Sequence, residues 1–120
     1  MEYIYKITVT RVVDGDTIDA IIHLGFDITI KKRIRLYGID TPETRTRDKQ
    51  EKKRGLAAKE RLQQIIDDQS GEIYLKSMDK GKYGRCLGIL FEADFDDMSI
   101  NDVLVSEGHA VVYKIGRAHV

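Results

Sequence analysis

Cysteine, proline and net charge are all scarce in this 120-residue chain. Cys86 is the single cysteine. No internal disulfide can form, which fits a reducing compartment. No apolar run approaches the ~20 residues needed to span a bilayer, so no membrane partner is expected. From Met1 the sequence passes straight into a strand pattern, without a basic stretch followed by an apolar one. The expected location is the cytoplasm, or outside the cell after loss of a signal. The formal net charge is +0. The chain therefore lacks the overall basic excess of many nucleic-acid binders. What is present is ordinary for one soluble domain: 42% hydrophobic and 33% charged residues. A core in a chain of this length can bury a little under ~70% of the unfolded surface.

The even charge balance conceals an asymmetry. Residues 44–54 carry Arg45, Arg47, Lys49, Lys52, Lys53 and Arg54 against Asp48 and Glu51. Residues 92–102 carry Glu92, Asp94, Asp96, Asp97 and Asp102 and no base. Each run alone reads first as a solvated surface segment. The sharper reading is a local positive field beside a polyanion site.

Periodicity supplies the elements. Tyr3, Tyr5, Ile7 and Val9 alternate as a strand. Asp14-Gly15-Asp16 is a turn. Thr17 to Leu24 is a second strand, and Gly25 marks a hairpin into a third. Along the third, Ile28, Ile30, Ile34 and Leu36 share one face, and Thr29, Lys31, Arg33 and Arg35 the other. Pro42, the only proline, makes residues 38–42 irregular. Ala58, Leu62, Ile65 and Ile66 recur at helical spacing, predicting a helix from about Gly55 to Gln69, with Gly71 closing it. Ile73 to Met78 and Cys86 to Phe91 are strands joined by the turn 79–84. Ser99 and Asp102 open a short helix that Gly108 stops. Ala110 to Tyr113 is strand-like. This order describes a mainly β fold, a five-stranded barrel of the oligonucleotide-binding type with two or more flanking helices.

The chemistry concentrates at two loops. Asp14 and Asp16 lie on a tight turn, and Asp40 and Glu43 flank Pro42 at the end of the strand carrying Arg35. Carboxylate and carbonyl oxygens are the natural ligands of a hard divalent cation. The Asp14 turn begins like an EF-hand loop, but its glycine is misplaced and no glutamate closes it. Phosphodiester cleavage needs a cation on the phosphoryl oxygens, a base for the attacking water and donors that fit the transition state. Arg35 and Arg85 suit the donor role because a guanidinium gives two parallel bonds and stays charged. Taken singly, each residue also has a plain explanation: a turn, or a surface ion pair. His23, His109 and His119 have no metal-ligand spacing and read as structural or exposed. Cys86 reads as packed.

Three blocks, taken together, carry a resemblance. Asp14-Gly15-Asp16-Thr17 comes first. Arg35-Leu36 with Ile39-Asp40-Thr41-Pro42-Glu43-Thr44 follows, then Lys82-Tyr83-Gly84-Arg85. In order and spacing they are similar to the signature blocks of the staphylococcal nuclease (thermonuclease) family, and the likeness runs to about Tyr113. The resemblance implies a five-stranded barrel that hydrolyses DNA and/or RNA with Ca²⁺, breaking the bond from phosphorus to the 5′ oxygen and leaving 3′-phosphate ends. By the same resemblance Asp16, Asp40 and the Thr41 carbonyl are metal ligands. Glu43 is the general base, and Arg35 and Arg85 bind phosphate. Asp14 supports the ligands, and Lys82, Tyr83 and Tyr113 contact substrate. The implied partner is nucleic acid, met by a monomer. The alternative is a barrel that binds nucleic acid or protein without cutting, which would have no need of so complete a set.

Two departures stand out. The family continues into a C-terminal helix that this sequence lacks. Ile115-Gly116-Arg117-Ala118-His119-Val120 reads like a translated sequencing-adapter oligonucleotide. The expected organisation is a domain over 1–114 and a non-native tail over 115–120.

Overall fold

A computed structural model of the chain describes residues 3–78, 86–92 and 98–112. Strand β1 (Tyr3–Asp14) pairs on one side with β2 (Thr17–Gly25) and on the other with β5 (Glu72–Ser77). β2 pairs with β3 (Ile28–Leu36), and β5 with β6 (Cys86–Phe91). All these ladders are antiparallel. A parallel pairing of β3 with β6 closes the barrel in the order β1-β2-β3-β6-β5. The expected five-stranded barrel is therefore present. Two short strands pair beside it: β7 (Val111–Val112), inside the stretch expected to be strand-like, and β4 (Ile39–Asp40), inside the segment 38–42 expected to be irregular, where pairing with β7 supplies the ladder.

β1 runs five residues beyond the alternation at Val9. Register shifts between Val9 and Arg11, and between Val12 and Asp14, interrupt its ladder with β2. Such bulges bend and twist a strand, which lets one long segment serve two neighbours around a closed sheet. The barrel core is built from Ile7, Ile18, Ile34, Leu36, Ile73, Leu75 and Leu90, all nearly inaccessible to solvent. Burying each such side chain stabilises the fold by ~1.5–3 kcal/mol. Ile28 and Ile30 were expected on this inner face. They are instead 55% and 38% exposed, because the β2–β3 hairpin projects past the end of the barrel. Its two-residue turn is Phe26-Asp27, with φ of 55° and 62°.

Helix α1 spans Lys49–Asp68, starting six residues before the expected Gly55. Its first turns carry no apolar row, so periodicity could not show them. The start is set by Asp48, whose side chain accepts the backbone N–H groups of Gln50 and Glu51. Much of the expected basic loop is thus helix. Ala58, Leu62, Ile65 and Ile66 form the buried stripe, as their spacing predicted. Gly71 follows the helix at φ 78°. Helix α2 (Ile100–Ser106) is capped by Ser99, whose side chain accepts the Asp102 N–H, and Gly108 follows at φ 81°. Among the described residues no helix is long and apolar enough to cross a membrane.

Candidate active site

The site forms where the β1–β2 turn meets the end of β3 and the loop after β4. Gly15 lies so close to α1 that a Cβ there would sit 2.7 Å from the Ala58 Cβ. The turn is therefore pressed on the helix, and Asp16 is buried and directed inward. Every polar atom of its carboxylate is engaged. Oδ1 accepts Thr17 Oγ1 at 3.0 Å, and Oδ2 accepts the Thr41 N–H at 3.1 Å. Its carbonyl accepts the Leu36 N–H at 2.8 Å, tying the turn to β3.

Arg35 is half-buried, as expected for the face opposite Ile34 and Leu36. Its Nη1 lies 2.8 Å from Asp16 Oδ2, and its Nη2 donates to Asp40 Oδ1 at 3.2 Å. One guanidinium thus spans two carboxylates. Nη1 is buried and has no hydrogen-bond acceptor despite that short contact. The contact is charge attraction without a directed bond. Desolvation raises the Asp40 carboxyl above the ordinary aspartate value; Asp16 beside it adds to the rise, and Arg35 opposes it.

The donor set fits a hard cation. Asp16 and Asp40 are close enough to repel, a single arginine offsets them, and the buried Thr41 follows Asp40 in the chain and bonds Asp16. Thr41 is held by its N–H on Asp16, which leaves its carbonyl as a further oxygen of the type such ions bind. No three His, Cys, Asp or Glu side chains converge among the described residues; the cluster consists of these two aspartates.

Glu43 is exposed, and its carboxylate makes no ion pair or hydrogen bond with Asp16, Asp40 or Arg35. Its position is fixed through the backbone: its N–H donates to Glu51 Oε2 at 3.1 Å. Thr44 next to it donates to Asp14 Oδ1. Asp14 thus ties the turn to the loop of Glu43. Arg85, Lys82, Tyr83 and Tyr113, and the tail 115–120, lie outside the described residues. Cys86, which follows Arg85 in the chain, pairs with Ile34, so β6 begins beside the strand of Arg35. His23 is exposed and shares a 2.8 Å hydrogen bond with Thr8 Oγ1.

Three supports went unnoticed in the sequence. Gly55 lets α1 approach the loop of Pro42 and Glu43: a Cβ there would lie 2.7 Å from both carbonyl oxygens. Asn101 is buried on α2; it accepts the Leu90 N–H at 3.0 Å and donates to the Tyr37 carbonyl at 2.9 Å. Glu51 and Arg54 line a cleft of about 530 Å³ together with Asp40, Thr41 and His109. Gly55 read only as the start of the helix, and nothing in the sequence marks Asn101 as buried.

A closed five-stranded barrel with an arginine-bridged pair of aspartates at one edge defines a class: small β-barrels with a charged cluster at the rim. Comparison with known proteins narrows it. The chain belongs to the family described as staphylococcal nuclease homologue, whose profile matches residues 33–119. It is 32% identical over 112 residues to micrococcal nuclease of Shigella flexneri, covering 88% of this chain and 57% of that protein. It is 33% identical over 111 residues to endonuclease YncB of Bacillus subtilis (strain 168), covering 89% and 47%. The chain spans about half the length of these curated relatives. Asp14 and Asp16 precede the stretch matched by the family profile, yet the fold delivers Asp16 to Arg35.

Proposed function

We propose that this chain is a Ca²⁺-dependent nuclease that hydrolyses phosphodiester bonds of DNA and/or RNA, cleaving on the 5′ side of phosphorus to leave 3′-phosphate ends. The observation that carries the reading is Arg35, shared between Asp16 and Asp40 at 2.8 and 3.2 Å. A structural ion pair needs one carboxylate; two on one guanidinium suit a site that takes up a cation and a phosphate. The names of the two relatives point the same way.

Asp16, Asp40 and the Thr41 carbonyl would hold the cation, which when bound neutralises charge developing on the phosphoryl oxygens. The chain's own groups do the rest. Arg35 presents N–H donors to a phosphate oxygen and remains charged throughout. Arg85 is assigned the same task. Glu43, exposed on a loop anchored at Glu51 and Thr44, orients the attacking water and accepts its proton. Asp14 holds that loop through Thr44.

Supercoiled plasmid incubated with protein in a metal series, then in chelator, tests the reading. The expected result is nicking and linearisation in Ca²⁺, abolished by chelator and by Glu43→Ala. Plasmid left intact at micromolar protein with Ca²⁺, while wild type and Glu43→Ala bind it alike, would leave a binding barrel in place of an enzyme. The rate should also rise from neutral to alkaline pH as hydroxide becomes available; a flat profile argues against water attack as the limiting step.

A further inference from the structure

We infer that Glu51 is a positioning residue for Glu43: a carboxylate placed to cap its own helix that instead holds the loop of the water-activating side chain. This rests on reading Glu43 as the general base and says what aims it.

Helix chemistry puts a glutamate at this place for another purpose. Asp48 is the N-cap of α1, so Glu51 is the third helical residue. A glutamate there characteristically turns back to accept the backbone N–H of the cap residue. Half of that arrangement is present: Asp48 Oδ1 accepts the Glu51 N–H at 3.2 Å. The returning half is not. The Asp48 N–H donates to Thr46 Oγ1 at 3.2 Å, and Glu51 Oε2 accepts the Glu43 N–H at 3.1 Å. Thr46 thus frees Glu51 from its capping duty. Among the described residues the Glu51 carboxylate has no other hydrogen bond and no ion pair, although Lys49, Lys52, Lys53 and Arg54 are its neighbours in the chain. Its one bond goes to the loop of Glu43.

That bond is one of three contacts α1 makes with the site. Glu51, Gly55 and Ala58 recur at i, i+4 and i+7, which is one face of the helix. Gly55 packs against the Pro42 and Glu43 carbonyls, and Ala58 against Gly15, next to Asp16. One rigid face therefore touches both the turn of a cation ligand and the loop of the base. Gly55 and Ala58 only limit how near those segments come. The Glu51 bond is directional. It fixes the Glu43 peptide plane, and with it the direction in which the exposed side chain leaves the loop. A misplacement on the order of 1 Å in such a group can cost ~100-fold in rate.

Glutamine keeps an acceptor oxygen at this place and loses the charge; alanine loses both. Glu51→Ala should lower kcat roughly ten- to hundredfold with KM within about twofold, and Glu51→Gln should retain most of the rate. In a Glu43→Ala background, Glu51→Ala should cost nothing further. In chelator without substrate, the Glu43 amide should exchange its hydrogen several-fold faster in Glu51→Ala than in wild type or Glu51→Gln. A carboxylate serving only the helix end predicts otherwise. Both variants would then lose its attraction to the helix N-terminus alike, with equal falls in Tm and no difference between them in kcat. That pattern, or a Glu43 amide indifferent to Glu51, overturns the inference. So does an equal loss from Glu51→Ala with and without Glu43. The nuclease reading fails separately. A wild type that does not cut, with a Glu43 amide that still answers to Glu51, leaves an anchor with no base to aim. A wild type that cuts no faster than Glu51→Ala loses only the role of Glu51.

Discussion

Arg35 Nη1 stands 2.8 Å from Asp16 Oδ2, and the same nitrogen is buried with no hydrogen-bond acceptor. Asp16 also accepts from Thr17 on Oδ1 and from Thr41 on Oδ2, so three groups share its carboxylate. The arginine neutralises the carboxylate without being consumed by it. A phosphate oxygen arriving at the cluster would meet a guanidinium already held in place by two carboxylates. Arg35→Lys keeps the charge and removes the fork. The expected loss in kcat is about 100-fold, near 2.7 kcal/mol, with KM moving less. Initial rates on a defined oligonucleotide decide it; a lysine variant within threefold of wild type would show that only the charge matters.

Asp40 has the opposite character. Its side chain is 52% exposed, and its carboxyl is raised by desolvation and by Asp16. Its charged form is therefore less favoured than that of a free aspartate, and a bound cation would offset this. Asp40→Asn should leave Tm in chelator unchanged or higher, yet lose the Tm rise that Ca²⁺ gives wild type. For wild type that rise should approach ~2.7 kcal/mol at a hundredfold excess over Kd. Equal Ca²⁺ responses in both proteins would remove Asp40 from the ligand set.

The barrel was legible because its strands alternate cleanly and its helix stripe of Ala58, Leu62, Ile65 and Ile66 repeats at helical spacing. Asp16, Arg35 and Asp40 were legible because short motifs flanked them. The parallel β3–β6 closure was not, since register between distant strands leaves no local trace. Ile28 and Ile30 misled because an apolar row on a projecting hairpin looks the same as one facing a core. The start of α1 was missed because Asp48 sets it by capping, in a first turn that has no apolar residue.

Gly55 tests how tightly the helix positions Glu43. Alanine gains about 1 kcal/mol of helix propensity over glycine. Its Cβ would nevertheless fall 2.7 Å from the Pro42 and Glu43 carbonyl oxygens. Backbone cannot swing aside as a side-chain tip can, and overpacking of this kind costs ~1–3 kcal/mol. The expected outcome for Gly55→Ala is a lower Tm or, where the loop yields instead, an unchanged Tm with a slower enzyme. A variant that is both more stable and fully active would mean that the contact does not constrain the loop.

Asn101 joins α2 to β6 and to the segment between β3 and β4. In Asn101→Ala the Leu90 N–H and the Tyr37 carbonyl lose their partners inside the protein, while the Gly88 carbonyl keeps the Tyr37 N–H. A stranded buried donor and a stranded partly buried acceptor, at ~1–3 kcal/mol each, predict a loss of ~2–6 kcal/mol. Urea midpoints at constant m-value measure it. A loss below 0.5 kcal/mol, on the order of a surface substitution, would mean that water replaces the amide.

Arg61 and Glu107 bridge α1 to the end of α2 by two hydrogen bonds of 2.6 and 2.9 Å. The hydrogen bond from Arg61 lowers the Glu107 carboxyl below its ordinary value. A depressed carboxyl stabilises the folded state above the unfolded value, near ~4.3, and the contribution is lost as pH falls through the folded value. Both side chains are about one-third exposed, so solvent screening holds the contribution to a few tenths of a kcal/mol, ~1 at most. Glu107→Gln should therefore be less stable than wild type by that amount from pH 7 down to about 5. The difference should narrow as pH falls through the lowered value of the folded carboxyl, close once wild type has also taken up its proton, and shrink in high salt. Denaturation of both proteins across that range checks the sign. A gap that stayed constant through acid titration of the carboxyl would assign the effect to packing of the side chain instead of its charge.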